Sequence, residues 1–362
     1  MTTEFRETLQ ETFGSAYAIQ RELGGGGMAR VFVAEETALG RLVVVKVLSP
    51  ELTSAISAER FRREVSLAAG LHHPHIVPLL TAGATPASSP TGSLLYYTMP
   101  YVEGESLRAR LSRTGAVPVA DAVRMLHEVA EALHYAHGRG VVHRDIKPDN
   151  VLLASDPSSS RAGHALITDF GVAKAVRAAS ESSTGTITHA GVALGTPAYM
   201  APEQGAADPD ADHRVDIYAY GVMAYEMLAG RPPFQARSSQ ALFAAHALET
   251  PLPLGDVRAD VPAELSTLVM RCLEKQPDAR PRNAAEILSV LEAIPLSGSV
   301  PSVVISAGRT GVPSPAPIPT PTTSDVGASK SARRRSRPTA LTVAGLVVVV
   351  AASLFAWRGR PG

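Results

Sequence analysis

The chain has 362 residues, 45% apolar and 19% charged, with Lys+Arg and Asp+Glu balanced at 34 each. That length accommodates a two-lobed globular domain with a substantial core plus additional segments. The charge balance removes any global field toward nucleic acid or an acidic substrate, and the one cysteine, Cys272, excludes an intrachain disulfide or a thiolate metal cluster.

Residues 1–16 carry Glu4, Arg6, Glu7 and Glu11 without an apolar core, so they read as an N-terminal extension and not as a signal peptide. Residues 17–101 read as short strands and turns interrupted by one helix. The β-branched run 42–48 is a strand, and 56–71 carries Phe61, Val65 and Leu67–Ala68 at helical spacing. The Ser/Pro/Gly cluster 86–92 is a surface loop. From 102 to 294 the pattern is mainly helical, with helices predicted over 119–137, 216–229, 238–247, 264–274 and 283–294. Cys272 falls on the apolar stripe of one of them and reads as a buried structural thiol, which fits a reducing compartment.

Beyond 294 the texture changes. Residues 295–338 are rich in Pro, Ser and Thr, lack helical or strand periodicity, and form a linker ending in Lys330, Arg333, Arg334, Arg335 and Arg337. Residues 339–357 carry no charge, and Trp357 stands where an interfacial aromatic would. As a helix this segment reaches roughly 28 Å, close to the ~30 Å hydrocarbon core, which predicts a transmembrane span. Five basic residues precede the span, and Arg358 and Arg360 follow it in the short tail 358–362. The expectation is a single-pass cell-membrane protein with its folded part cytoplasmic and its C-terminus outside, the basic cluster also suiting anionic lipid.

The chemistry-bearing motifs begin with Leu23, Gly24, Gly25, Gly26, Gly27, Met28, Ala29, Arg30 and Val31, between two strand-like segments. Glycines let a backbone approach phosphate oxygens and offer amide donors to them. No Gly-Lys-Ser/Thr follows, so this is not a P-loop. Lys46 ends an apolar strand where an ammonium needs a partner, and Glu64 on the next predicted helix is a candidate. Spacing alone leaves open a snorkelling Lys46 and a surface Glu64. The run His143-Arg144-Asp145-Ile146-Lys147-Pro148-Asp149-Asn150 places an acid able to accept a hydroxyl proton, a cation suited to a phosphate oxygen and an amide suited to a metal within one loop. Asp169-Phe170-Gly171 supplies a further carboxylate, and Mg²⁺ needs few carboxylates beside phosphate oxygens and water.

In this order the motifs resemble those of the protein kinase family, and specifically its bacterial eukaryotic-like serine/threonine branch. The likeness runs over 17–294, about four-fifths of the chain. It implies an α+β bilobal fold with a strand-rich N-lobe (17–101) bearing one regulatory helix and a large helical C-lobe (102–294). By resemblance, the loop 24–31 covers the ATP phosphates, and Lys46 contacts the α/β-phosphates and pairs with Glu64. Asp145 orients and deprotonates the acceptor hydroxyl, Lys147 steadies the γ-phosphate, and Asn150 and Asp169 hold Mg²⁺, for which Mn²⁺ can substitute. Leu23, Val31, Val44 and Leu152 sandwich the adenine; Met99 is the gatekeeper, with Tyr101 and Val102 in the inter-lobe hinge after Pro100. Val44 stands where the family commonly has Ala, and Pro100 where it often has Glu. Glu203, in Ala201-Pro202-Glu203, pairs with Arg280, and Asp216 braces the catalytic loop.

The Lys147-Pro148-Asp149 and Gly195-Thr196-Pro197 segments resemble serine/threonine rather than tyrosine kinases, so the implied partners are protein Ser/Thr hydroxyls, with no nucleic acid. Arg144 is suited to a phosphate on the segment 178–194. The expected autophosphorylation sites are Thr186 or Thr188, then Thr184, while Thr196 contacts Asp145; trans-autophosphorylation implies a transient homodimer. Two rivals remain: a small-molecule kinase, which generally lacks the Ala-Pro-Glu segment, and a catalytically silent scaffold, which usually loses one of the key Lys, Asp or Asn residues.

Overall fold

The structure, a computed structural model, describes residues 2–26, 29–55, 58–85, 93–155, 163–170 and 197–294. The loop 86–92, Gly27, Met28, Thr184, Thr186, Thr188, Thr196, and the linker, span and tail expected over 295–362 lie outside the described residues. Among those described, no helix is long and apolar enough to cross a membrane.

The N-lobe is built on an antiparallel sheet of β1 (Tyr17–Gly26), β2 (Ala29–Glu36), β3 (Arg41–Leu48), β4 (Thr81–Ala84) and β5 (Leu95–Pro100), ordered β1-β2-β3-β5-β4. Strand alternation gives the valine run of β3 two roles. Val43, Val45 and Val47 join Phe32 and Ala34 in the outer-face core, whereas Val44 packs with Met99 and Val77 on the opposite side. Lys46, two residues beyond Val44, therefore emerges on the inner face. Two helices, α2 (Pro50–Ala55) and α3 (Ala58–Ala69), follow β3. Phe61, Val65 and Ala68 form the buried stripe of α3, and Phe61 and Val65 pack with Leu95 and Tyr97 of β5.

The 1–16 segment is more than an extension. Residues Thr2–Phe13 form α1, which lays Leu9 and Phe13 on the outer face of the sheet. Phe5, Leu9 and Phe13 recur every four residues, a sparse stripe on a strongly polar helix.

The C-lobe carries α4 (Leu107–Thr114), α5 (Val119–His137), α6 (Arg214–Ala229), α7 (Ser239–Leu248), α8 (Ala263–Cys272) and α9 (Ala284–Ala293). Its boundaries follow local chemistry. Ser106, Ser238 and Asn283 accept main-chain N–H bonds at the starts of α4, α7 and α9, and left-handed Gly230 ends α6. Every residue from Val215 to Leu228 is buried, so α6 is the apolar axis of the lobe. Cys272 is buried against it, and its thiol is pushed up to about 12 by burial.

A small antiparallel sheet, β6 (Gly104–Ser106), β7 (Val151–Ala154) and β8 (Ala165–Ile167), lies beside α5. The chain after α3 is stitched to β8: Ile167 N donates to His75 O at 2.9 Å and Val77 N to Ile167 O at 2.9 Å. This pairing carries Thr168 and Asp169, at the end of β8, up to the inner face of the N-lobe sheet.

Candidate active site

Between the lobes lies a cleft of about 530 Å³ lined by Leu23, Gly24, Val31, Val44, Lys46, Met99, Pro100, Tyr101, Val102 and Leu152, with Gly104, Glu105, Ser106, Asp149 and Thr168 completing it. Gly104 is required there: its φ is +149°, and a Cβ would sit 2.0 Å from Leu153 O. Thr168 donates to Met99 Sδ at 3.0 Å, tying the gatekeeper position to the residue before Asp169. Gly25, Gly26 and Ala29 belong to the facing ends of the β1–β2 hairpin, next to the cleft-lining Gly24 and Val31. Arg30 turns its side chain to the outer face, where it pairs with Glu22 and covers Phe5. Of the expected nucleotide contacts it therefore retains at most its main chain.

The catalytic loop is braced from α6. His143 N and Arg144 N donate to Asp216 Oδ2 and Oδ1 at 2.8 and 2.7 Å, and His137 Nε2 lies 2.8 Å from Oδ2. Burial would raise the Asp216 carboxyl, but hydrogen bonding and charge from His137, with help from His143, hold it below the ordinary range. The same contacts stabilise Arg144 in a left-handed conformation (φ 67°) that costs an L-residue about 1 kcal/mol. His143 is fully buried, contacts Thr168 O at 2.8 Å through Nε2, and meets the Phe170 ring edge-on at 4.6 Å. His137 was not singled out by sequence, because a lone histidine ending a helix carries no spacing signal.

Asp145 receives Lys147 Nζ at 2.7 Å and Asn150 Nδ2 at 3.0 Å, both on Oδ2, while the same amide donates to Asp145 O at 2.8 Å. Among the described residues nothing bonds Oδ1, which leaves one carboxylate oxygen for a hydroxyl. Because the Asn150 NH₂ group is engaged on Asp145, its amide oxygen is turned away from that residue.

The partner of Lys46 corrects the sequence reading. Lys46 Nζ bonds Asp169 Oδ2, and the expected Lys46–Glu64 pair is not formed; Glu64 is half-buried on α3. The physical reason is distance along the fold: β8 delivers Asp169 directly beneath β3, whereas Glu64 depends on how α3 sits against the sheet. Tyr97 OH donates to the other oxygen, Oδ1, at 2.7 Å. Burial raises the Asp169 carboxyl, but the Lys46 charge and the hydrogen bonds from Lys46 and Tyr97 more than offset it and leave the group below its ordinary value. Burial first, and Asp169 second, hold the Tyr97 hydroxyl well above its ordinary value. Tyr97 was missed by sequence reasoning, although its alternation with Met99 along β5 places both on one face.

Below the cleft, Arg108 on α4 joins Glu226 (2.7 Å), Asp149 (3.4 Å) and the hydroxyl of Tyr199, which itself bonds Glu226. This node couples the catalytic loop to the segment preceding Ala201-Pro202-Glu203, and no short motif announced it. Glu203 and Arg280 meet as the resemblance implied, in a fork of 2.6 and 2.8 Å.

A family model for the protein kinase domain matches residues 17–290. The chain belongs to the protein kinase family. It is 38% identical over 280 residues to serine/threonine-protein kinase pkn2 of Myxococcus xanthus, covering 76% of this chain and 32% of that one. It is 35% identical over 306 residues to serine/threonine-protein kinase PknB of Mycolicibacterium smegmatis, covering 84% and 47% respectively. Both relatives are bacterial serine/threonine-protein kinases, and the chain spans less than half of their length. Among solved structures, a double mutant of the Mycobacterium tuberculosis PknI kinase domain superposes with a TM-score of 0.58 at 28% identity, over 76% of this chain and 94% of that one.

Proposed function

We propose that this kinase domain transfers the γ-phosphate of Mg·ATP to serine or threonine hydroxyls of proteins. The observation that carries the reading is a pair of linked clusters: Lys46, on the wall of the apolar cleft, bonds Asp169, and Asp145, Lys147 and Asn150 bond one another, with Thr168 N donating to Asn150 O at 3.0 Å between the two. Phosphoryl transfer needs little covalent help from the protein; it needs positioning and cations around a spreading negative charge. The cleft's apolar walls take the base. Lys46 neutralises phosphate oxygens, Asp145 Oδ1 accepts the acceptor hydroxyl's hydrogen, and Lys147 holds Asp145 while adding positive charge beside the transferring group.

The donor set suits a divalent metal: one carboxylate, Asp169, and one amide oxygen, Asn150, without a dense acidic cluster among the described residues. A metal held by these two residues would supply further neutralisation of the phosphate oxygens.

Regulation by phosphate on the 178–194 segment is part of the same reading. Arg144 Nε is buried with no hydrogen-bond partner among the described residues, and its guanidinium makes one long contact, 3.5 Å to Ala211 O. A phosphothreonine at Thr186, Thr188 or Thr184 would satisfy it through charge-assisted bonds. The uncharged run 339–357, flanked by basic residues, supports membrane anchoring with the kinase domain cytoplasmic. Transient pairing of two copies would serve autophosphorylation in trans.

Incubation with γ-labelled ATP and a generic protein acceptor tests the reading. Wild type should label serine and threonine, and Asp145→Asn and Lys46→Ala should fold yet lose turnover by at least roughly a hundredfold. Mass spectrometry should find loop phosphate in wild type and not in Asp145→Asn. Full activity in either purified variant would remove the assignment.

A further inference from the structure

Among the contacts of α1 with the β1–β2 hairpin, the one nearest the glycine-rich end is that of Phe5 with Arg30. Arg30 of β2 forms a two-bond fork with Glu22 of β1 (Nε to Oε1 2.9 Å, Nη2 to Oε2 2.6 Å). Its guanidinium lies 4.4 Å from the centre of the Phe5 ring of α1 and 5.3 Å from that of Phe32, and the two rings stack at 6.3 Å and 28°. The cleft-lining residues Leu23 and Val31 are the immediate neighbours of Glu22 and Arg30. Alternation along each strand thus puts the fork on the outer face, directly behind the roof of the cleft.

Two further observations give this contact leverage. The pairing of β1 with β2 is irregular on both sides of Glu22, with register shifts between Ile19 and Arg21 and between Glu22 and Gly24. Such shifts twist a hairpin and weaken its ladder, so the fork, which spans the shift between Glu22 and Gly24, supplies a fixed link that the ladder lacks there. The helix itself is firmly seated. Leu9 is fully buried, Phe13 meets Tyr96 edge-on at 4.8 Å, and Gln10 bonds Gly14 O, Tyr17 O and Ile19 N at 2.9, 3.0 and 2.8 Å.

We propose that the Phe5–Arg30–Glu22 stack positions the glycine-rich hairpin over the triphosphate, so that the N-terminal helix sets affinity for ATP without touching it. Arg30 is a positioning residue: its charge is turned away from the cleft and neutralised by Glu22, whose carboxyl that hydrogen bond holds below its ordinary value. The inference rests on the kinase reading of the cleft.

The test compares the purified full chain with Phe5→Ala, Arg30→Ala, the double variant and Phe5→Tyr, using calorimetric binding of Mg·ATP beside steady-state kinetics. Each alanine variant should raise the Kd and KM for ATP roughly three- to tenfold, with kcat at saturating ATP within about twofold. The double variant should bind like Arg30→Ala alone, because both changes break one stack, and Phe5→Tyr should bind like wild type. Phe5→Leu, which keeps an apolar side chain but removes the ring face, should shift Kd in the same direction if Phe5→Ala does not fold. Wild-type affinity in Phe5→Ala with weakened binding in Arg30→Ala would mean that Arg30 acts without the helix, and would overturn the proposal. So would a lowered melting temperature with unchanged Kd. A wild-type chain that binds no Mg·ATP would remove the kinase reading and this inference together; wild-type binding with unaffected variants would remove this inference alone.

Discussion

Arg280 uses all five of its N–H groups, two of them in a fork on Glu203 and the others on the carbonyls of Glu274, Lys275 and Arg214. Its side chain is fully buried, with the guanidinium 4.8 Å from the centre of the Tyr218 ring. One residue thus fixes the Ala201-Pro202-Glu203 turn to the start of α6 and to the segment after α8. Arg280→Ala leaves a buried carboxylate and three carbonyls without their donor, and should cost about 3–5 kcal/mol in urea unfolding. Arg280→Lys should recover little of this, since an ammonium cannot fork onto a carboxylate; a near-wild-type midpoint for Arg280→Lys would contradict the account.

Asp216 predicts an acid limb. An unfolded aspartate takes its proton near pH 3.9, whereas the folded Asp216, held down by His137 and His143, takes it only at lower pH. Between those values the unfolded chain binds more protons, so stability falls as pH drops below about 4. The charge-paired Asp169 adds to the same limb. Asp216→Asn should be less stable than wild type at pH 7 by about 3 kcal/mol and should show a shallower loss between pH 4 and 3. Urea midpoints across pH 3–7 read both.

Much of this site was legible because its chemistry is written in short runs. Asp145, Lys147 and Asn150 share one loop, so their spacing alone brought them together, whereas the apolar run around Lys46 left its direction open until the packing of β3 set it on the cleft face. Contacts between distant elements were less legible. The Lys46 partner depends on how β8 and α3 seat against one sheet, and spacing offered Glu64 or solvent without bringing Asp169 into view. The Arg108–Glu226–Tyr199 node draws its members from α4, α6 and the segment before Glu203, none within a common motif. For α1 the signal was present in Phe5, Leu9 and Phe13, but four charged residues masked so narrow a stripe.

Gly221 tests the packing of the C-lobe axis. A Cβ at this position in α6 would sit 2.6 Å from Cys272 Cβ and 3.2 Å from Cys272 C, so α6 and α8 approach closely only because the side chain is missing. Helix propensity favours alanine by about 1 kcal/mol, but overpacking against the backbone costs about 1–3 kcal/mol. Gly221→Ala should be net destabilising in thermal unfolding, and Gly221→Ala with Cys272→Gly should recover part of the loss.

His246 predicts a second, milder pH dependence at higher pH. It is buried on α7 with Nδ1 2.8 Å from Tyr218 OH and its ring 4.9 Å from Phe234. Burial first, and the Lys275 charge second, push its imidazole down to about 4. The unfolded histidine protonates near 6.5, so between about 6.5 and 4 the unfolded chain carries the extra proton and stability declines as pH falls. The loss should approach roughly 2–3 kcal/mol by pH 4. His246→Gln, which does not titrate, should lack this slope and keep only the limb below pH 4.

Tyr97 offers the sharpest test of how Asp169 is held. Its hydroxyl bonds Oδ1 while Lys46 bonds Oδ2, so the carboxylate is fixed from both sides. Tyr97→Phe removes one of those holds at nearly constant volume and should cost about 1–3 kcal/mol of stability. Its larger effect should appear in metal dependence. An outer partner that orients a metal-binding carboxylate typically contributes about 10–100-fold in metal affinity. If Asp169 holds the divalent ion, the Mg²⁺ concentration for half-maximal activity should rise by about tenfold, while kcat at saturating Mg²⁺ stays near wild type. Loss of kcat with unchanged Mg²⁺ dependence would place Tyr97 in another role and weaken the assignment of Asp169 as a metal-holding group.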